Sequence, residues 1–244
     1  MLPFWIALQF LSSLPVSLPG MPSPQQNGRS LLFYPLVGLL FGVLLWGLNT
    51  VLAGSPPLLH AALLLSAWVA LSGGLHLDGL ADSADAWLGG FGDRERTLTI
   101  MKDPRSGPIA VVTLVLVLLL KFCALLALVE AGQGALLLLA PVTGRAAMLA
   151  LFLSTPYVRP GGLGQALAEH LPRRGATWVL LLSGAGCLLL GAGAAVALLA
   201  AALAFFALRR SMMRRLGGTT GDTAGAVLEL LEMVVLLTLA LTLG

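Results

Sequence analysis

Charge is what this chain has least of. Asp, Glu, Lys and Arg make up 10% of its 244 residues and hydrophobic residues 58%, where an average soluble protein carries roughly 25% charged residues. So little charge cannot solvate a globular surface. The composition excludes a water-soluble enzyme and predicts an all-α integral membrane protein, since helices satisfy their own backbone groups in lipid. Cysteine is almost absent too. Cys123 and Cys187 both lie in apolar runs, so they read as packing residues and no disulfide framework is implied. Met1 to Val16 lacks the basic region and small-residue cleavage site of a secretory leader. Its apolar run is too short to cross a bilayer, and it is expected to form an interfacial or re-entrant helix. No internal repeat and no low-complexity linker breaks the chain, so 1–244 reads as a single polytopic domain, with the Pro/Ser/Gly/Gln/Asn stretch 19–28 as its flexible part. No Ser-His-Asp or Cys-His arrangement is legible.

What is abundant is long apolar runs. Seven spans are expected, at about 31–52, 57–77, 107–129, 134–154, 177–191, 193–209 and 224–243. The connections alternate in charge. Loops near 88–106, 155–176 and 209–223 hold eleven of the fourteen Lys and Arg residues, whereas those near 53–56, 130–133 and 191–193 hold none. The positive-inside rule therefore puts the basic loops in the cytoplasm and Gly244 outside. It also keeps 177–191 and 193–209 apart, because one long helix there would put the four arginines of 209–223 outside. In a soluble protein a net charge of +3 would suggest nucleic acid. Loop placement accounts for it here, and the expected partner is the lipid bilayer, with no nucleic acid.

Against this apolar background one stretch is acidic. Three of the chain's eleven acids, Asp78, Asp82 and Asp85, fall within eight positions in Gly73 to Asp85. On a helix they share a face about 60° wide. Like charges so placed repel unless a cation lies between them, and carboxylate oxygens suit a hard divalent ion that also takes substrate phosphates. A solvated loop after a helix is the plainer reading; the apolar flanks and the scarcity of charge elsewhere weigh against it. His76 stands about 160° from Asp78 on such a helix and reads as a residue at the edge of the site.

Other groups gather on the same side. Arg94, Arg96, Lys102 and Arg105 follow by one loop and could neutralise phosphate oxygens, or could be positive-inside charge alone. Gly217, Gly218 and Gly221 precede the last span, where closely approaching backbone N–H groups and a helix N-terminus favour an anion. Asp222 there could be a ligand or base, or the helix cap. Glu229 and Glu232 continue down the span. Lys121 and Arg145 lie deep in others, where ionisable groups mark either a functional site or an internal pair. Arg145 is expected to bind substrate, with pairing to Glu229 or Glu232 as its alternative.

In this order and spacing the motifs resemble the cobalamin synthase family, the adenosylcobinamide-GDP ribazoletransferases. The resemblance covers nearly the whole chain. It rests on Gln9-Phe10-Leu11 with Leu14-Pro15, Phe33 to Gly38, Gly73 to Asp85, and Arg94 to Arg96 with Leu98. Ile100 to Asp103, Arg105, Arg145, Gly162-Leu163-Gly164 and Gly217 to Ala226 with Glu229 complete it. Ser13 departs from it, where many relatives carry arginine, and Pro104 and Pro108 stiffen a loop that is usually less proline-rich. The resemblance implies a Mg²⁺-dependent enzyme of the bacterial inner membrane, its active site facing the cytoplasm. It would join adenosylcobinamide-GDP to α-ribazole or α-ribazole 5′-phosphate with loss of GMP. It implies metal on Asp78, Asp82 and Asp85, proton transfer by Asp82, Asp85 or Asp222, and substrate contacts from Arg94, Arg96, Lys102, Arg105, Arg145 and the 217–221 glycines. A homo-oligomer is compatible with the sequence.

Two other classes compete. A CDP-alcohol phosphotransferase also uses an aspartate-rich helix, but Leu80-Ala81-Asp82 follows Asp78-Gly79 here with no arginine in the expected place. A secondary transporter would explain charge at membrane depth, yet no inverted repeat is seen and the densest acids lie at a span end.

Overall fold

The structure is a computed structural model that describes residues 1–243. Its helices, in chain order, are α1 (Leu2–Leu11), α2 (Pro24–Ser30), α3 (Tyr34–Val51), α4 (Pro57–Ser72), α5 (Leu75–Gly89) and α6 (Arg94–Ile100). They continue with α7 (Pro108–Glu130), α8 (Leu139–Ser154), α9 (Leu163–Glu169), α10 (Arg173–Leu188), α11 (Ala192–Leu216) and α12 (Gly221–Leu241). A 3-10 turn at Leu31–Phe33 joins α2 to α3, and one at Gly134–Leu138 leads into α8. Among the described residues there is no strand, only an isolated bridge between Tyr157 and Thr219. The all-α fold expected from composition is the fold observed.

Proline and glycine set the boundaries. Pro57 and Pro108 open α4 and α7, where a missing N–H leaves no bond unmade. Gly73 and Gly217 close α4 and α11 in the left-handed conformation, at φ 64° and 74°, which a Cβ would strain. Thr220 caps α12: its hydroxyl accepts the Thr223 N–H while the Thr223 side chain accepts the Thr220 N–H.

Five segments are long and apolar enough to cross a membrane: Pro24–Val51, Pro108–Glu130, Gly134–Ser154, Ala192–Leu216 and Gly221–Leu241. A sixth is added if α4 and α5 count as one broken span. The expected span 57–77 is in fact α4 and the start of a separate helix. Left-handed Gly73 and Gly74 break it, and α5 turns 88° from α4. The expected span 177–191 is α10, 16 residues long, or about 24 Å at 1.5 Å per residue. It is separate from α11, with Gly191 at φ 102° between them. Gly244 lies outside the described residues.

End-to-end contacts fix which loops share a side. Ser13 bonds to the last carbonyls of α4. Arg173 and Arg209 reach Leu153 and Ser154 at the end of α8, so α10 begins and α11 ends there. Arg94 reaches Leu216 at the end of α11. At the opposite end Gly134 faces Asn49, and Gly193 faces Leu239 and Thr242. The basic loops thus converge on one end of the bundle. α8 and α12 are its centre and are largely buried, whereas α7 and α11 expose most of their apolar length. Val111, Val115, Leu119, Leu199 and Leu203 on these outer helices remain exposed, the surface a bilayer covers. At the N-terminus α1 has ten residues and buries Ile6, Ala7, Leu8 and Leu11. It packs on α2 and α3 and does not span.

Candidate active site

The 88° turn lays α5 across the starts of α7 and α12. Asp85 accepts the N–H groups of Gly107 and Ala110 at the head of α7, the latter at 2.9 Å. Gly79 packs so closely on the first turn of α12 that a Cβ there would stand 2.8 Å from the Asp222 carbonyl oxygen. Glycine at 79 therefore allows α5 to bring its acids against Asp222.

A cavity of about 440 Å³ opens at this junction, lined by His76, Asp78 and Gly79 of α5, by Tyr157 and Arg159 of the α8–α9 loop, and by Gly221 and Asp222 of α12. Arg159 Nη1 pairs with Asp222 Oδ2 at 2.6 Å. The loop that carries Arg159 is clamped to the glycine turn: Thr219 N–H donates to Pro156 at 2.8 Å and Val158 N–H to Thr219 at 2.9 Å. Gly218 is required there, because a Cβ would collide with the Pro156 carbonyl. Acid outweighs base at this site. Burial, then the charges of Asp78 and Asp222, push the Asp82 carboxyl up to about 6, against a partial offset by Arg159.

Not every group read from the sequence joins the cavity. Asp78, Asp222 and Gly221 line it, and Asp82 feels both acids. Asp85 is turned away to cap α7, so the three acids of α5 do not form one ligand set. Among the described residues no group of three or more His, Cys, Asp or Glu is poised to hold a metal ion. Asp222 is not the helix cap; Thr220 is. Gly217 closes α11 and Gly218 admits the 156–158 strand of chain, and neither lines the cavity. Arg94 is held by the Leu216 carbonyl at 2.8 Å and by Glu95, Arg96 lies over the Phe91 ring at 5.1 Å, and Arg105 pairs with Asp103 at 2.9 Å. With exposed Lys102 they lie on the basic end, outside the cavity.

Arg145 has gone to its alternative. It is fully buried between α8 and α12, with Nη1 2.9 Å from Glu232 and its guanidinium 4.1 Å from the Phe41 ring centre. Lys121 completes the group, 2.6 Å from Glu229 and 2.8 Å from Glu232. Two cations and two anions neutralise one another away from the cavity.

Three features escaped the sequence reading. Arg159 was counted with the positive-inside charge, although a single cation before Pro160-Gly161-Gly162 stands in a turn built for close approach. His76 lines the cavity rather than its edge, is 2% exposed, and neither ring nitrogen has a protein partner among the described residues. The Asp85 cap spans a loop of more than twenty residues and leaves no local pattern.

Fold and site define a polytopic helical membrane protein with an acidic, arginine-bearing cavity at its basic end, a chemistry suited to phosphorylated substrates. The chain belongs to the family described as cobalamin-5-phosphate synthase, whose model matches residues 3–240. Similar curated proteins are named adenosylcobinamide-GDP ribazoletransferase. One from Pseudomonas fluorescens is 77% identical over 99% of this chain and 100% of its own length. One from Pseudomonas putida is 77% identical over 99% of each, and one from Pseudomonas syringae pv. syringae 74% identical over 99% of this chain and 100% of its own. No solved structure matches the chain.

Proposed function

We propose that this chain is an adenosylcobinamide-GDP ribazoletransferase of the bacterial inner membrane, its acidic cavity facing the cytoplasm. In this reaction the 3′-hydroxyl oxygen of α-ribazole, or of its 5′-phosphate, attacks the cobinamide-linked phosphorus. A new P–O bond forms, the bond to the GMP phosphate oxygen breaks with its electron pair leaving on GMP, and the hydroxyl proton passes to a carboxylate. The observation that carries the reading is the convergence of Asp78, Asp222 and Arg159 on one cavity at the basic end of a chain of this family.

Each group has a role that its position supports. Arg159 binds a pyrophosphate oxygen, exchanging its contact with Asp222 for one of similar geometry. Asp222, opposite Asp78 and two residues past the Thr220 cap, accepts the hydroxyl proton. His76, buried and unpartnered, offers a hydrogen bond to the bound substrate. The donor set also fits Mg²⁺, which typically takes one or two carboxylates and completes its shell with water and phosphate. Asp78 and Asp82 would hold it: burial and then the charges of Asp78 and Asp222 raise the Asp82 carboxyl, and a cation would relieve the repulsive part. When bound, Mg²⁺ offsets charge on the pyrophosphate. Asp85 holds α7 in place. Arg96 and Lys102, which unlike Arg94 and Arg105 have no ion-pair partner among the described residues, add positive charge at the same end of the bundle that draws anionic substrates toward it.

The test is GMP release by the purified chain in bilayer nanodiscs. Release that requires adenosylcobinamide-GDP, an α-ribazole acceptor and Mg²⁺ together is expected. A pure, folded protein that releases no GMP under these conditions would overturn the reading.

A further inference from the structure

A second cavity adjoins the first. It has about 530 Å³, inside the range of roughly 300–1,000 Å³ that small-molecule sites occupy. The two cavities share a wall formed by Phe152, Tyr157 and Arg159. On its far side the second cavity is lined by Gln165 and Glu169 of α9 and by Arg173, the first residue of α10. None of these three lines the acidic cavity.

The geometry points to a subsite for a nucleoside 5′-phosphate in this outer cavity, with Arg173 binding the phosphate. The inference rests on the proposed transfer reaction, in which both the acceptor and the leaving GMP have this chemistry. Phe152 is 4% exposed and stacks behind Tyr157, ring centres 6.1 Å apart and planes 21° from parallel, which leaves the half-buried Tyr157 ring as the aromatic surface for a heteroaromatic base. Gln165 donates to Glu169 at 2.7 Å, which fixes a carboxylate where ribose hydroxyls can donate to it. Arg173 donates from Nη2 to the Leu153 carbonyl at 2.7 Å. That bond orients the guanidinium and leaves its other edge for two phosphate oxygens. Arg159 stands at the doorway, lining both cavities.

The same chemistry could come from the acceptor, α-ribazole 5′-phosphate, or from the guanosine half of the donor. The test uses the full chain in nanodiscs, as wild type, Arg173→Gln and Arg173→Lys. Equilibrium binding is measured for GMP against guanosine and for α-ribazole 5′-phosphate against α-ribazole, with GMP release recorded in parallel. Arg173→Gln should weaken one 5′-phosphate ligand about ten- to a hundredfold, leave its dephosphorylated counterpart unchanged, and be partly restored in Arg173→Lys. Loss confined to α-ribazole 5′-phosphate assigns the cavity to the acceptor, and loss confined to GMP assigns it to the donor. If Arg173→Gln weakens phosphorylated and dephosphorylated ligands equally, or neither, Arg173 serves only to cap α8 and the inference fails. Arg173-dependent phosphate binding without GMP release would instead sink the transfer reaction and leave the subsite standing.

Discussion

Two charged regions share α12 and are built on opposite plans. Inside the bundle, Lys121, Arg145, Glu229 and Glu232 form a charge-balanced set, two of each sign, with ion pairs at 2.6–2.9 Å, and the Arg145 nitrogens Nε and Nη2 have no hydrogen-bond partner among the described residues. At the end of the bundle, Asp78, Asp82 and Asp222 face one arginine, and the set opens into a cavity. In an apolar medium an unpaired charge is expensive, so a set that neutralises itself is a structural joint. It ties α7, α8 and α12 together at one depth. A set with surplus acid beside solvent has room for a cation and a phosphate. The difference teaches that charge count and closure, rather than depth alone, separate the strut from the reaction site.

The largest effect should come from the open region. Asp78→Asn keeps the side-chain volume and removes the charge, so turnover should fall about 10²–10³-fold with the thermal unfolding temperature unchanged. GMP release and an unfolding curve on the same preparation check both halves. A variant near wild-type rate at limiting Mg²⁺ would remove Asp78 from the metal site.

The closed region should respond in the opposite sense. Glu232→Gln strips the shared partner from Lys121 and Arg145 and should cost about 3–5 kcal/mol of stability, seen as a lower unfolding temperature in detergent. Below that temperature the variant should still turn over. A folded but inactive Glu232→Gln protein would break the division between the regions.

Two glycines sharpen the comparison at smaller scale. Gly79→Ala drives a methyl against the backbone of Asp222 and should cost about 1–3 kcal/mol while displacing the reacting acids, so stability and rate fall together. Gly221 has open space around its Cβ position and ordinary backbone angles. Gly221→Ala should leave stability unchanged or raise it by about 0.4–1 kcal/mol. Its rate should still fall, since the methyl projects into the cavity that Gly221 lines. Parallel unfolding curves and rate assays would show whether the two substitutions separate in this way.

Much of this was legible in the sequence. Apolar runs gave the helices, and the alternation of Arg-bearing with Arg-free loops matched the two ends of the bundle. Asp78 and Asp222 fall at the same basic end on the positive-inside rule, Asp78 just past the end of one expected span and Asp222 just before the last. What was not legible depends on distance in space. Whether Arg145 met substrate or Glu232 turned on the packing of α8 against α12. Asp85 shares a helical face with Asp78 and Asp82, yet α7 begins beside it and takes its carboxylate. Consecutive Gly73 and Gly74 carried the signal for the break in the expected span 57–77, but glycine permits a turn without stating its angle. Arg159 looked like any other positive-inside residue until the bridge from Tyr157 to Thr219 brought it to Asp222.

The division of labour between the regions is tested most directly at Asp222, which lies on the same helix as Glu232. Thr220 caps α12, and Asn matches Asp in size and still accepts hydrogen bonds from Thr220 and the helix backbone, so the main loss to the fold in Asp222→Asn is the part-exposed Arg159 pair at the rim of the cavity. The measurement is the initial rate of GMP release by Asp222→Asn, beside its thermal unfolding curve and that of the wild type. The account predicts a rate at least about 10²-fold lower at an unchanged unfolding temperature. A variant that releases GMP at the wild-type rate would contradict it, and the reaction site would have to be sought elsewhere on the bundle.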